Sequence, residues 1–365
     1  MSNFFNGGLP ILRKTNLLLL AVITILTMTS AGFAQSASTS LSALPEADTL
    51  IYLNPQRILN EAAPRVLAPA DVTKMRASFA DLKKSIGVDP SAIEYLVIAV
   101  RFNKPANDLS FVAPDVMAVI GGDFSSDSLL TLGQLYLQDK VRVEKHGSKS
   151  ISIMKIDPLV AEAEKNPFLK AYTEVGVVPL SANSLAIGNV RYVKAAIDAA
   201  DGTGRISPAS LESLLRDPNA LIAASGAPIA AMAKSFGLFG LETTPRESSC
   251  NTMFGNFYAA VTMTGTNFTL RGAMNADNPD TAKIINNLLS GLIKQGASAV
   301  PDKKAQTIME TLKMTARDNE IVIEADIPEK MVADFIRTAP SAAPKVEAKP
   351  AGTKPLRRKR TRSQH

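Results

Sequence analysis

Short runs rich in Val, Ile and Thr recur in pairs along this chain, each pair followed by a helix-forming stretch, and this order limits the fold more than any other feature. Period-two runs bounded by Gly, Asn, Asp and Ser read as strands, and apolar residues spaced three and four apart read as helices. In the first half the strands are expected at Asp48 to Leu53, Ile93 to Phe102, Val116 to Ile120, Ser150 to Ile156 and Val177 to Gly188. The last folds back at Ser181-Ala182-Asn183-Ser184, because Asn tolerates the left-handed backbone of a tight turn. A helix follows from Val190 to Ala199, capped by Asn189, with Val193, Ala196 and Ile197 on one face.

The second half uses the same order. Phe257 to Met263 and Phe268 to Asn275 flank a turn at Thr264-Gly265-Thr266-Asn267. A helix opens at Pro279-Asp280 and carries Ile284, Ile285, Leu288, Leu289, Leu292 and Ile293 at the spacing of a buried stripe, with Gly296 expected to stop it. Thr311 to Ala316 and Glu320 to Ile327 flank Arg317-Asp318-Asn319, and Pro328 starts a last helix through Ile336. The expected class is therefore α+β, in two similar halves, each an antiparallel sheet of hairpins with amphipathic helices packed on it. The division reads as a signal peptide over 1–34, a linker over 35–43, a first domain over 44–200, a second over 206–338 and a basic Ala/Pro/Lys-rich tail over 339–365.

The leader assignment rests on Arg13 and Lys14, the apolar run from Leu17 to Met28, and the small residues Ala31, Gly32 and Ala34. Cleavage after Ala34 would export the protein to the periplasm or the exterior; an uncleaved N-terminal anchor is the alternative. Cys250 is the single cysteine, so no intramolecular disulfide forms and the body holds together by packing.

Three stretches resemble uncharacterised exported bacterial proteins with duplicated α+β domains. They are Leu44 to Tyr52, the Ile86-Gly87-Val88-Asp89-Pro90 element, and Leu270-Arg271-Gly272 leading into Leu288 to Leu292. The resemblance covers most of residues 44–337. It implies export and a duplicated fold, and it brings no site residues.

Charge is unevenly placed. The chain carries +6, yet the tail alone holds Lys345, Lys349, Lys354, Arg357, Arg358, Lys359, Arg360 and Arg362 against Glu347, so the body between leader and tail is slightly acidic. A basic groove for specific nucleic-acid binding is not expected on the body. The run Arg357, Arg358, Lys359, Arg360 and Arg362 is the candidate contact for a polyanion or an anionic envelope surface.

No motif carries chemistry. His365 ends the tail, and His146 sits in Glu144-Lys145-His146-Gly147, which reads as an exposed turn without a partner. Ser152 and Lys155 have S-x-x-K spacing, but on a strand positions i and i+3 face opposite sides. The Asp123/Asp127 and Asp277/Asp280 pairs lie where helices start and read as capping segments, and Gly121-Gly122 reads as a turn. No catalytic, cofactor-binding or metal-ligating residue is therefore assigned, and no cofactor. The expected function is that of an exported, non-catalytic protein that binds a protein or an apolar ligand. The alternatives are an exported hydrolase whose site is assembled from distant residues, and a structural envelope component attached through its tail.

Overall fold

The computed structural model describes residues 41–86, 89–103, 113–137, 140–155, 172–226, 254–299 and 303–338. The leader, Cys250 and the tail, including Arg357, Arg358, Lys359, Arg360 and Arg362, lie outside these residues. The fold is α+β. Among the described residues the strands are β1 (Thr49–Leu53), β2 (Ile93–Arg101), β3 (Asp115–Gly122), β4 (Val141–His146), β5 (Lys149–Lys155), β6 (Glu174–Ser181), β7 (Ser184–Asn189), β8 (Ile222–Gly226), β9 (Phe254–Thr264), β10 (Asn267–Ala276), β11 (Lys313–Arg317) and β12 (Glu320–Pro328). The longer helices among the described residues are α1 (Pro69–Ile86), α2 (Ser126–Leu137), α3 (Val190–Ala200), α4 (Pro208–Leu214), α5 (Pro279–Ala299), α6 (Lys303–Glu310) and α7 (Glu329–Thr338). Contiguous short helical turns over 55–66 link β1 to α1.

The strands form one sheet in the order β11-β12-β10-β9-β8-β1-β2-β3-β7-β6-β5-β4. Every pairing between them is antiparallel. The two sheets expected from the sequence are thus a single one, joined where β1 pairs with β8 in the register Ile51↔Ala224. Each would otherwise expose an edge of unpaired backbone groups, and their pairing removes both. Around this seam the segment expected to separate the halves is packed: Pro45 bridges to Arg205, and Ile206 N–H donates to Leu44 O at 2.9 Å. Leu41, assigned to the linker, is fully buried.

Strand alternation sends the two faces to different helices. Val97, Met117, Val119, Ile151, Ile153, Val178 and Ala186 pack with Tyr192, Val193, Ala196 and Ile197 of α3 into the main core. Burying one such Ile or Val is worth roughly 2 kcal/mol. The next residues along the same strands, Ile120, Ser152, Val177, Leu185 and Ile187, point the other way, toward α2. On that second face, α5 covers β10 and β12 through Ala282, Ile285, Met274 and Ile321, with Leu289 beside them, whereas Ile284 and Leu288 of the expected buried stripe are exposed. There too α7 meets Phe268 through Ala333.

Several local expectations are corrected. Asn189 does not cap α3 with its side chain; its Oδ1 accepts from Val116 N–H at 2.6 Å and so joins β7 to β3. The β6–β7 turn falls at Ala182-Asn183 without a left-handed residue, whereas Asp318 supplies one (φ 51°) in the β11–β12 turn. Gly296 does not end α5, which continues to Ala299; glycine lowers helix stability by about 1 kcal/mol but stops a helix only where the chain turns left-handed. Gly121 and Gly122 end β3 rather than making a turn, and a Cβ on Gly121 would lie 2.1 Å from the Tyr95 ring. The capping segments do cap: Ser125 Oγ accepts from Ser128 N–H at the start of α2, and Asn278 Oδ1 accepts from Thr281 N–H at the start of α5.

Candidate functional site

Helix α2 is apolar on nearly every side, with Asp127 as its one charged residue. Such a helix normally sits in a core, yet here Leu132 and Leu135 are exposed while Leu129, Leu130, Gly133 and Gln134 turn toward the sheet. Between those four residues and the sheet lies a cavity of about 240 Å³. Its floor comes from alternate positions on five neighbouring strands: Ile120 on β3, Leu185 and Ile187 on β7, Val177 on β6, Ser152 and Met154 on β5, and Val141 on β4. Ile93 and Phe124 complete the lining.

The cavity exists because Gly133 faces the sheet. A Cβ there would meet nothing within 4 Å. Any larger residue at this inward position would fill part of the space, as Ile285 does beneath α5.

One polar pair interrupts the apolar lining. Gln134 Nε2 donates to Ser152 Oγ at 2.7 Å. Ser152 is almost fully buried at 2% exposure, so its hydroxyl costs stability unless it is hydrogen-bonded. Among the described residues, no charged side chain lines the cavity.

A second polar cluster lies on the opposite face. Asp115, 3% exposed, accepts from Arg101 Nη2 and Arg191 Nη2, each at 2.8 Å, and Arg101 stacks over the Tyr192 ring at 4.7 Å. Tyr192 donates its hydroxyl to Glu46 O at 2.9 Å, and burial pushes its phenol well above the ordinary range. These groups are closed on one another and join strand ends to α3.

The residues considered in the sequence fall in different places. Ser152 faces the cavity, whereas Lys155 shares the parity of Ile153 on the α3 face, so the S-x-x-K pair is not assembled. His146 ends β4 and does have a partner: its Nε2 lies 2.9 Å from Asp198 Oδ1 on α3. Beside it, Glu144 accepts from Lys194 and from Arg142, and these contacts hold the edge strand against α3. Among the described residues, no three His, Cys, Asp or Glu side chains gather to hold a metal, and no helix is long and apolar enough to cross a membrane. Gln134 and Gly133 were not singled out by sequence reasoning. The available signal was a lone glycine and a lone amide on the inward stripe of a leucine-rich helix.

No protein-family model matches the chain. No curated protein matches it either. Among solved structures, TP0453 in crystal form III is similar with a TM-score of 0.44 at 11% identity, covering 81% of this chain and 96% of that chain. Crystal form I gives 0.42 at 12% identity, and form IV gives 0.40 at 11%; each covers 81% of this chain and 95% of the other.

Proposed function

We propose that this is an exported, non-catalytic protein that holds a small apolar ligand between α2 and the sheet. The observation that carries the reading is the cavity itself: about 240 Å³, walled by aliphatic side chains from five strands and one helix. A dry apolar cavity of about 150 Å³ admits benzene, so this one suits a ligand of roughly ten non-hydrogen atoms. The polar groups lining it are the neutral Gln134 and Ser152, joined by one hydrogen bond and with no acid or base among the lining residues, an arrangement suited to retention rather than to activating water.

We propose also that the halves 44–200 and 206–338 arose by duplication. Reading outward from the seam, β1-β2-β3 and β8-β9-β10 follow the same order, and each third strand is followed by a helix, α2 or α5, on the same face. The copies differ afterwards, since α3 packs on one face and α7 on the other. They differ also under the paired helices, where Met274, Ile285, Ile321, Phe257 and Met314 fill the space that stays empty below α2. An empty space in one copy and a filled one in the other favours a use for the space over a general defect of the architecture.

The test is calorimetric titration of the full chain with butylbenzene, which is apolar and has about ten non-hydrogen atoms. Saturable binding of one butylbenzene per chain is the expected result. A titration that shows no saturable binding overturns the proposal.

A further inference from the structure

We infer that the Gln134–Ser152 pair selects a ligand with one uncharged polar head, of the alcohol or primary-amide class, on a short hydrocarbon body. The inference rests on the reading of the cavity as a ligand site and adds to it the chemistry of the head group. In the paired state Gln134 spends one amide hydrogen on Ser152 Oγ. The inventory of the two side chains leaves the Ser152 hydroxyl hydrogen, the second Gln134 amide hydrogen and the Gln134 carbonyl oxygen to offer. A group that both donates and accepts answers that set, and a primary amide or a hydroxyl does so without a net charge.

Charge decides against the obvious competitor. A fatty carboxylate of the same length would bring an anion into a space whose lining residues carry no cation. Burying an ionised carboxylate without a partner costs far more than two neutral hydrogen bonds return. A wholly apolar ligand pays no such penalty, but it gains nothing from the pair. Both polar side chains also sit on rigid elements, Ser152 on β5 between paired strands and Gln134 on α2, so the head would be fixed at one end of the cavity.

The experiment is calorimetric titration of the full-length protein with octanamide, octanoate and butylbenzene, which all have about ten non-hydrogen atoms. Octanamide is expected to bind at least tenfold more tightly than octanoate at pH 7. Ser152→Ala and Gln134→Met should each weaken octanamide about fivefold to tenfold, the loss of one hydrogen bond, and leave butylbenzene within twofold. Both variants nearly keep the volume of the site, and a cooperative melting transition establishes that they fold. If octanoate equals octanamide, or if the variants leave octanamide unchanged while butylbenzene still binds, the head-group inference is wrong and the cavity reading stands. If neither butylbenzene nor octanamide binds to the parent, both fall together.

Discussion

Arg191, in the first turn of α3, reaches back to the buried carboxylate of Asp115 at the start of β3, with Nη2 2.8 Å from Oδ1. The opposite oxygen is taken by Arg101 at the end of β2, so one carboxylate fixes the relative positions of two strands and a helix. Asp115 is nearly inaccessible, whereas the Arg191 side chain remains 62% exposed. The two partners should therefore respond differently to removal.

Asp115→Asn leaves two guanidinium groups facing each other without a counter-charge and should destabilise the protein by about 2 kcal/mol, a value reduced from that of a fully buried pair because water reaches both arginines. Arg191→Ala leaves Arg101 in place and should cost less than about 1 kcal/mol. Urea unfolding of the two variants checks the order; equal losses would mean that the Arg191–Asp115 pair alone carries the junction and Arg101 adds nothing to it.

Burial, and then the neighbouring charge of Asp123, raise the Glu94 carboxyl above its ordinary value of 4.5. The folded protein thus holds this proton to higher pH than the unfolded chain, and stability from the protonated form is lost as pH rises through the raised value. Glu94→Gln should raise stability by about 0.5 kcal/mol at pH 7, with the carboxyl largely exposed to screening. The gain should vanish near pH 3, where the parent carboxyl is protonated in both states. Melting temperatures of parent and variant at the two pH values check the sign.

At the seam, Gly226 has φ 144°, and a Cβ on it would lie 2.1 Å from Asp48 O. Both the backbone angle and the close approach of β1 exclude a side chain. Gly226→Ala should cost about 3 kcal/mol. It should open the β1–β8 junction, detected as faster amide exchange along Thr49 to Leu53.

Much of the strand pattern was legible because its runs alternate. Ile93 to Phe102 and Phe268 to Asn275 match β2 and β10 within one or two residues. Strand β8 was not legible: Ile222-Ala223-Ala224-Ser225-Gly226 has little β propensity and is a strand because β1 and β9 lie on either side. Strand β4 was hidden for another reason, since as the sheet's edge it carries Arg142, Glu144 and Lys145 where an interior strand would be apolar. The cavity was illegible in principle. Its parts lie between Ile93 and Ile187, and Ser152 meets Gln134 only when β5 sits beneath α2.

Deletion of Lys345 to His365 removes Arg357, Arg358, Lys359, Arg360 and Arg362 together with every other basic residue of the tail. A segment of this composition buries little surface, so the melting temperature should not change. Binding of the full chain to vesicles containing anionic lipid should disappear on truncation and weaken steeply with salt, because exposed charges are screened beyond about 10 Å at 0.1 M. Equal binding by the truncated protein would place the anion contact on the folded body instead.

Gly133 gives the most direct control over the cavity, because it is the inward position on α2 where an added Cβ meets nothing. Gly133→Ala should stabilise the protein by about 1 kcal/mol, since alanine loses less backbone entropy in a helix and the methyl group enters empty space. It should change butylbenzene affinity little. Gly133→Leu adds an isobutyl group at the wall of a space also lined by Ile120 and Leu185. That variant should keep or raise the melting temperature and weaken butylbenzene at least tenfold, the pattern of a space being filled rather than a fold being damaged. A leucine variant that folds as well as its parent and binds butylbenzene as tightly would remove the cavity from consideration as the site.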